Sequence, residues 1–294
     1  MTISNLEFRM SNHEFANPKS EIRNPKSGVS LPRRTLRMAG VVVAAVIIFG
    51  PLSSLVIWSF AEKWYWPHLF PQQIGLFYWS KVLRGDMLRA LQDGFLIAVA
   101  VTILTLVITV PLAYLLARTP IPFKPVILMI FLLPQAFPQL PVFVNSTTLL
   151  YRVNQGGKFG GVVLIHMVGA LVFAVWTMTA VFKSVPEALE EAAINLGASR
   201  LKSFVSVALP LATPGIIAST LLVFLYSLDE FTGTLLVGSP FILTLPVFMY
   251  RTSVGYELQV ASISALILMV PGIVLLVLLE RYMKSEYLSM FGRI

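Results

Sequence analysis

Two adjacent acidic residues, Asp229 and Glu230, interrupt a long apolar stretch of the chain. If that stretch spans a membrane, its carboxylates are costly there and are expected to face a cavity or a charged partner. One interpretation is a site that recognises a cationic solute on its way across the membrane. The alternative is a structural ion pair or a helix cap near the end of the span. The residue types and their spacing leave both open.

Other residues that commonly carry out chemistry are scarce. The chain has no cysteine and three histidines. His166 stands alone in an apolar segment, and a single imidazole without a second ligand is more often a packing residue than part of a metal site. The glycine-rich run 156–161 has neither the spacing of a phosphate-binding loop nor its following Ser or Thr. We therefore expect no catalytic residue, no metal site and no cofactor bound by this chain.

The composition is typical of a membrane protein. Hydrophobic residues make up 56% of the 294 residues and charged residues only 12%, whereas a soluble domain carries about 25% charged residues. Lys and Arg outnumber Asp and Glu by 22 to 14. In a soluble protein this excess would suggest nucleic acid, but here it fits loops that basic residues hold on the cytoplasmic side. We predict an all-α protein of the lipid bilayer with no nucleic-acid partner.

Six segments are long and apolar enough to cross a membrane, which takes roughly 20 residues for about 30 Å of hydrocarbon. The third segment contains three prolines, which predict a kinked or broken helix. The fifth contains Asp229, and a rise of about 1.5 Å per residue places it roughly 20 Å along the helix, towards the outer side. The predicted spans are Met38–Ser59, Phe95–Leu116, Val126–Tyr151, Val162–Phe182, Ile216–Val237 and Val260–Leu279.

Three amide side chains, Gln135, Gln139 and Asn145, lie in the proline-interrupted third span. A broken helix exposes its backbone only where it faces protein or a water-filled cavity. The three residues are therefore candidates for lining a solute path. Hydrogen bonds that pack one helix against another are an equally open explanation.

Basic residues also predict how the chain crosses the membrane. With the amino terminus inside, 15 Lys and Arg fall in inner segments and 7 in outer loops, which places both termini in the cytoplasm. Residues 1–36 contain too few apolar residues to form a core, so we expect a disordered cytoplasmic tail. Residues 37–285 form the six-span domain and residues 286–294 a cytoplasmic end. The protein is expected in the cell (plasma or inner) membrane.

The loop between spans four and five, residues 183–210, has an unusual pattern. Pro186 suits the first turn of a helix, and acidic residues in that turn complement the helix dipole. Gly197 can adopt the left-handed conformation that ends a helix, and a second short helix then leads to Pro210. The first helix carries the acidic residues Glu187, Glu190 and Glu191 and a small apolar stripe of Leu189, Ala192, Ala193 and Leu196. We predict two short helices joined at a glycine elbow.

This loop resembles the signature of the permease subunits of type I ABC importers, the binding-protein-dependent transport inner-membrane components. The signature is Glu-Ala-Ala, three residues, Gly, nine residues, Ile, any residue, Leu-Pro. Val207 replaces the isoleucine, which is a volume-conserving change, and the resemblance covers about residues 38–285. The matching residues are Glu191-Ala192-Ala193, Gly197, Val207 and Leu209-Pro210.

The resemblance implies a non-enzymatic transport subunit. In this family two permeases form the translocation path, and each loop docks as a coupling helix into a groove on a separate ATPase subunit. An extracytoplasmic solute-binding protein delivers the solute, and ATP with Mg belongs to the ATPase dimer, because this chain has no complete phosphate-binding motif. The residues that the resemblance assigns to ATPase coupling are Glu187, Glu191, Ala192, Ala193, Gly197, Leu209 and Pro210.

The residues after span five resemble the spermidine/putrescine branch of these permeases. Leu196 also fits that branch and its iron, sulfate and phosphonate relatives, whereas sugar permeases more often carry Asp there. We therefore predict a polyamine such as spermidine or putrescine, with iron, sulfate, phosphonate, a sugar or another small organic solute as alternatives. The residues that carry the resemblance are Asp229-Glu230-Phe231, Gly238, Thr244-Leu245-Pro246 and Tyr250-Arg251.

Two other classes of protein remain possible from the sequence. A secondary transporter often shows inverted repeats, and no matching halves occur here. An intramembrane enzyme needs a nucleophile with its base or a set of metal ligands, and one histidine beside two carboxylates is thin support. Purification distinguishes these classes, because an importer subunit should bring down an ATPase and a sister permease.

Overall fold

The computed structural model describes residues 33–291, with side chains described for residues 37–278 and Glu280. The predicted tail therefore lies outside the described residues as far as residue 32, and so do residues 292–294. The elements are α1 (Arg33–Phe60), β1 (Ala61–Lys63), β2 (Gln73–Ile74), α2 (Phe77–Val82), α3 (Asp86–Arg118), α4 (Lys124–Ala136), α5 (Gln139–Arg152), α6 (Phe159–Ser184), α7 (Glu187–Asn195), α8 (Arg200–Ser203), a π-helical turn (Phe204–Ala208), α9 (Leu209–Asp229), a second π-helical turn (Thr234–Gly238), α10 (Leu245–Val254) and α11 (Leu258–Phe291).

Within the described residues, five helices are long and apolar enough to cross a membrane. The bent pair α4 and α5 raises this number to six when it is counted as one span. The strands β1 and β2 form a small antiparallel hairpin directly after α1. The predicted all-α architecture with about six spans is confirmed.

The third span is broken between α4 and α5. The two helices meet at 99°, and Phe137 and Pro138 between them are both extended. A residue before proline is disfavoured in the helical region, and Pro138 has no N–H to continue the ladder of hydrogen bonds. The predicted interruption is confirmed, and the bend makes the pair either one broken span or a re-entrant loop.

The fifth span begins and ends earlier than predicted. It runs as one helix from Arg200 to Asp229, so the predicted second short helix does not stop before Pro210 but continues into α9. The Leu209 N–H bonds to the Phe204 carbonyl five residues back, and this wider π turn absorbs a proline that would otherwise break the helix. As a result, Asp229 is the last residue of this helix and not an interior one.

The packed centre lies in the larger of two compact units, residues 50–294; the smaller unit, residues 1–49, is described only by the start of α1. In the larger unit α3, α6 and α9 pack on one another. A side chain at Gly169 of α6 would overlap the Tyr226 hydroxyl, and one at Gly215 of α9 would overlap Val181. These glycines therefore allow α6 and α9 to approach closely. Buried core residues include Ile97, Val101, Ile165, Met178, Ala212 and Val223.

Candidate functional site

A sharp turn joins α7 to the helix that follows it; we call residues 186–203 the elbow segment. Gly197 has φ +94°, its N–H bonds to the Ile194 carbonyl at 2.9 Å, and the Ala198 N–H bonds to the Ala193 carbonyl at 3.0 Å. These two bonds satisfy the carbonyls at the end of α7 in the pattern of a Schellman motif. The left-handed conformation predicted for Gly197 is confirmed.

The next helix begins with a side-chain cap. The Ser199 Oγ accepts a hydrogen bond from the Lys202 N–H at 3.2 Å, which supplies a partner for one of the free N–H groups at a helix start. Three residues, 197–199, therefore suffice to end one helix and begin the next. The cap was visible in the sequence as a serine two residues after the glycine, although our prediction did not use it.

The elbow segment is tied to the spans through Glu190, which is 6% exposed. The Arg118 Nε donates to its Oε1 at 2.7 Å and the Tyr114 hydroxyl to its Oε2 at 2.7 Å. The Arg118 Nη2 also donates to the Val185 carbonyl at 2.7 Å. On the other side of the elbow, the Ser203 hydroxyl donates to the Glu190 carbonyl at 3.2 Å. Two side chains of α3 therefore hold the Glu190 carboxylate, and Ser203 of the second arm holds the backbone carbonyl of the same residue.

Arg118 forms one buried ion pair with Glu190 and one exposed ion pair with Glu187. The Arg118 side chain is 11% exposed, whereas the Glu187 side chain is 63% exposed and lies 3.5 Å from the same guanidinium. Exposed ion pairs contribute about 0–1 kcal/mol. Removing one partner of a buried pair costs about 3–5 kcal/mol, because the other charge is left without compensation.

Sequence analysis missed the role of Glu190. It assigned Glu187 and Glu191 to coupling, and the structure places both side chains in solvent. Glu190 lies at the edge of the apolar stripe, one helical turn before Ala193, whereas Glu187 and Glu191 lie on the face opposite the stripe. The partner residue Arg118 is 72 positions away, and no local pattern in the sequence joins the two.

The other face of the elbow segment is apolar and exposed. Leu196 is 90% exposed, and beside it Ala192 is exposed and Ala193 half-buried. Of the remaining coupling candidates, Leu209 is half-buried and Pro210 exposed in the helix that follows. Exposed apolar side chains that lie together mark an interaction site, and the large exposed ones of the elbow segment are Leu189, Ile194, Leu196 and Leu201.

At the other end of the fifth span, Glu230 caps the next helical turn. Its carboxylate is 4% exposed and accepts hydrogen bonds from the Gly233 and Thr234 N–H groups at 2.9 and 3.1 Å. His166 of α6 lies 3.2 Å from the same carboxylate and also contacts the Thr234 and Ser227 hydroxyls at 2.7 and 2.9 Å. This geometry matches the structural interpretation of Glu230, and His166 is a buried packing residue with partners for both nitrogens.

Asp229 has different surroundings from its neighbour. It is exposed and lines a cavity of about 600 Å³ between the fifth span, α10, α11 and the end of α1. Of the residues that line this cavity, Asp229 alone carries a charge. The ring centroids of Phe231 and Tyr250 lie 5.0 Å apart in its wall. The lining residues able to contact a polar solute are Trp58, Asp229, Phe231, Tyr250, Ser253 and Ser262.

The amides of the third span do not join Asp229. Gln135, Gln139 and Asn145 are exposed, and the Asn145 side chain donates to the Pro141 carbonyl of its own helix at 2.8 Å. Neither of the two cavities that Asp229 lines includes a residue of α4 or α5. The role of these amides in a solute path stays a prediction.

Both sites lie within the part of the chain that matches a known protein family. The family described as binding-protein-dependent transport system inner membrane component matches residues 109–286, which is more than half of the chain. The chain belongs to this family. The matched residues include Arg118, the elbow segment and the Asp229 region of this inner-membrane transport permease.

Individual relatives share the family likeness at moderate identity. The trehalose/maltose transport system permease protein of Thermococcus litoralis is 27% identical over 86% of this chain and 94% of its own length. A protein of Haloferax volcanii described as a probable molybdenum ABC transporter permease is 32% identical over 80% of this chain and 84% of its own. A crystal structure of a bacterial ABC transporter that imports the acidic polysaccharide alginate matches in fold, with a TM-score of 0.64, 21% identity and coverage of 86% of this chain and 99% of that one.

Replacing Glu230 should destabilise the permease whatever its solute. In Glu230→Ala, the Gly233 and Thr234 N–H groups lose their buried acceptor, and each unsatisfied group costs about 1–3 kcal/mol. We expect the midpoint of thermal unfolding in detergent to fall by several degrees. The control is Asp229→Ala at the adjacent exposed position, which should leave the midpoint unchanged. Equal midpoints for the native chain and Glu230→Ala would contradict the capping role.

Proposed function

We propose that this chain is the permease subunit of an ATP-driven importer and forms half of the path for a small solute. The observation that carries the proposal is the elbow segment, whose large apolar side chains are exposed while Glu190 ties it to the spans. An isolated loop helix has no need of such an anchor. A helix that receives force from a partner does need such an anchor, because it must be fixed to the spans that it moves.

The partner at the elbow is proposed to be a separate ATPase. Leu189, Ile194 and Leu196 would enter a groove on its surface, and the small side chains of Ala192 and Ala193 allow close approach. ATP and Mg are held by that subunit and not by this chain. An ATPase dimer would serve this permease and a second permease subunit, which together enclose the path.

The elbow segment is proposed to face the cytoplasm, as are both termini. The 15 to 7 division of basic residues supports this orientation, since positive residues are retained on the inner side. A solute-binding protein would then dock at the opposite end. A secondary transporter or an intramembrane enzyme is disfavoured, because family membership extends over the elbow and the Asp229 region together.

The cavity beside Asp229 is proposed to form part of the solute path. A single carboxylate with Trp58, Phe231 and Tyr250 in the same wall suits a cationic amine, since aromatic faces attract cations. The same set suits a carbohydrate, whose hydroxyls bond to carboxylates and whose rings pack on aromatic faces. An oxyanion fits poorly, because the carboxylate would repel it.

Two solute classes therefore stand as proposals. The sequence around Leu196 and Asp229 favours a polyamine, whereas the trehalose/maltose relative favours a carbohydrate. No polyamine permease is among the relatives described above, so the sequence prediction of spermidine or putrescine lacks their support. Uptake assays with a polyamine and a disaccharide separate the two directly.

The coupling proposal predicts the effect of Gly197→Asp. A side chain at φ +94° strains the backbone, and a charge there would enter the apolar docking face. We expect membrane insertion to persist and the ATPase to be lost on co-purification, with ATP-driven uptake abolished. The control is Gly85→Asp, an exposed glycine with ordinary φ at the start of α3, where Asp is a favourable cap. A Gly197→Asp variant that retains its ATPase and transports normally would contradict the coupling assignment.

The path proposal predicts the effect of Asp229→Asn, with Glu230 left intact because it caps a helix. A carboxylate that meets a cation in an apolar cavity contributes more than a solvated one, so putrescine uptake should fall at least tenfold, which is about 1.4 kcal/mol. The control is Asp86→Asn, an exposed carboxylate outside the cavity, which should transport normally. Uptake of maltose by the native transporter, with none of putrescine, would establish the carbohydrate class. Undiminished uptake by Asp229→Asn would remove this residue from the path.

A further inference from the structure

The coupling helix α7 is held by a single buried side chain. Of its nine residues, all within the described part of the chain, Glu190 alone is buried. Most surface helices are fixed by an apolar stripe packed on the core, but the apolar side chains of α7 point outwards. Apart from the Ser203 bond to its backbone, the orientation of α7 relative to the spans therefore depends mainly on the polar contacts of one carboxylate.

Both carboxylate oxygens of Glu190 have a neighbouring side-chain donor. Oε1 of Glu190 accepts from Nε of Arg118 at 2.7 Å and lies 2.7 Å from Nη2 of the same guanidinium, while Oε2 accepts from the Tyr114 hydroxyl. A glutamine has the same shape but only one acceptor oxygen. Its oxygen can face Arg118 while its N–H donates to the Tyr114 hydroxyl, which also accepts. Glutamine therefore removes the negative charge that compensates the buried Arg118 guanidinium.

The partners of Glu190 are themselves fixed in the spans. Arg118 ends α3, and its Nη2 reaches the Val185 carbonyl directly after α6. The Tyr114 ring packs against Phe204 and Phe182, with centroid distances of 4.5 and 5.6 Å. The donor groups thus belong to a cluster that joins α3, α6 and the start of the fifth span.

We propose that Arg118 and Glu190 form the rigid joint through which α7 moves together with the end of α3. They are positioning residues, which act on transport through α7. The proposal rests on the proposed function, in which an ATPase docks on the exposed face of α7. Without the joint, α7 would keep its docking surface and its partner but would turn against the spans, so that movement of the ATPase would not reach the cavity beside Asp229.

The joint can be tested by pulsed electron spin resonance in the assembled transporter in nanodiscs. Nitroxides are placed at Leu196→Cys on the elbow and Arg89→Cys near the far end of α3, both exposed, with labelled chain diluted into unlabelled chain. A helix of this length puts the labels about 40 Å apart. We expect one narrow distance distribution for the native joint and a broad one for Glu190→Gln.

A second readout follows the cavity and needs no solute. A cysteine at Ser253, which lines the cavity, reacts with a maleimide before and after ATP and vanadate are added. With the native joint we expect the reaction rate to change several-fold on trapping. With Glu190→Gln we expect ATP hydrolysis to continue and the change in rate to be lost. A merely structural role would lower the amount of assembled transporter without separating these two measurements.

Two further variants complete the test. Glu257→Gln removes one partner of an exposed pair with Lys81 at 3.8 Å and should leave both readouts native. Tyr114→Phe removes only the bond to Oε2, so it should broaden the distribution less than Glu190→Gln and remains informative if the latter does not assemble. The joint proposal would be overturned if Glu190→Gln and Tyr114→Phe both gave distance distributions as narrow as the native one. It would also be overturned if the maleimide reaction rate in Glu190→Gln changed on trapping as in the native transporter. Failure of the native chain to recover an ATPase would instead overturn the proposed function.

Discussion

The end of a helix leaves backbone N–H and C=O groups without partners in the helix, and a sharp turn or a buried helix end must supply those partners from the protein. The chain meets this requirement differently at its two main interruptions. At the elbow, Gly197 closes α7 with backbone hydrogen bonds and Ser199 opens the next helix with its hydroxyl. After Asp229, the Glu230 carboxylate supplies two bonds from within the core. Both candidate sites lie where a helix is interrupted and the backbone groups at its end have hydrogen-bond partners.

The two interruptions are the ends of one continuous helix, Arg200–Asp229. At about 1.5 Å per residue this helix is roughly 45 Å long, and it connects the elbow segment to the cavity lined by Asp229. The π turn at Phe204–Ala208 keeps the helix continuous past Pro210. A movement imposed on the elbow therefore has a mechanical route to the cavity. The route begins at Glu190, whose carboxylate is held by α3 and whose backbone carbonyl is held by Ser203 of the second arm.

The sequence predicted the parts of this arrangement that depend on local pattern. Span number, the break at the prolines and the left-handed Gly197 follow from hydropathy, from the restricted backbone before proline and from the freedom of glycine. Contacts between distant residues could not be predicted in the same way. Arg118 and Glu190 are 72 positions apart, and His166 meets Glu230 only because α6 packs on α9.

The different surroundings of the adjacent residues Asp229 and Glu230 could not be predicted from the sequence either. No local pattern distinguishes Asp229 from Glu230, and the predicted span placed both inside a helix. The helix instead ends between them, so one side chain turns into a cavity while the other turns into the core. At Pro210 the prediction ended a helix too early, because a π turn before this proline allows the helix to continue.

The exposed face of the elbow segment is proposed to dock on a separate ATPase, and a site-specific cross-link can detect this contact. The chain has no native cysteine, so Leu196→Cys provides a single thiol at the centre of that face, and Lys158→Cys provides a control thiol at the start of α6. The transporter is purified from membranes and treated with a short thiol-to-amine cross-linker. We expect a product that joins position 196, and not position 158, to an ATPase subunit. A Leu196→Cys chain that remains uncross-linked in a transporter containing its ATPase would contradict this proposal.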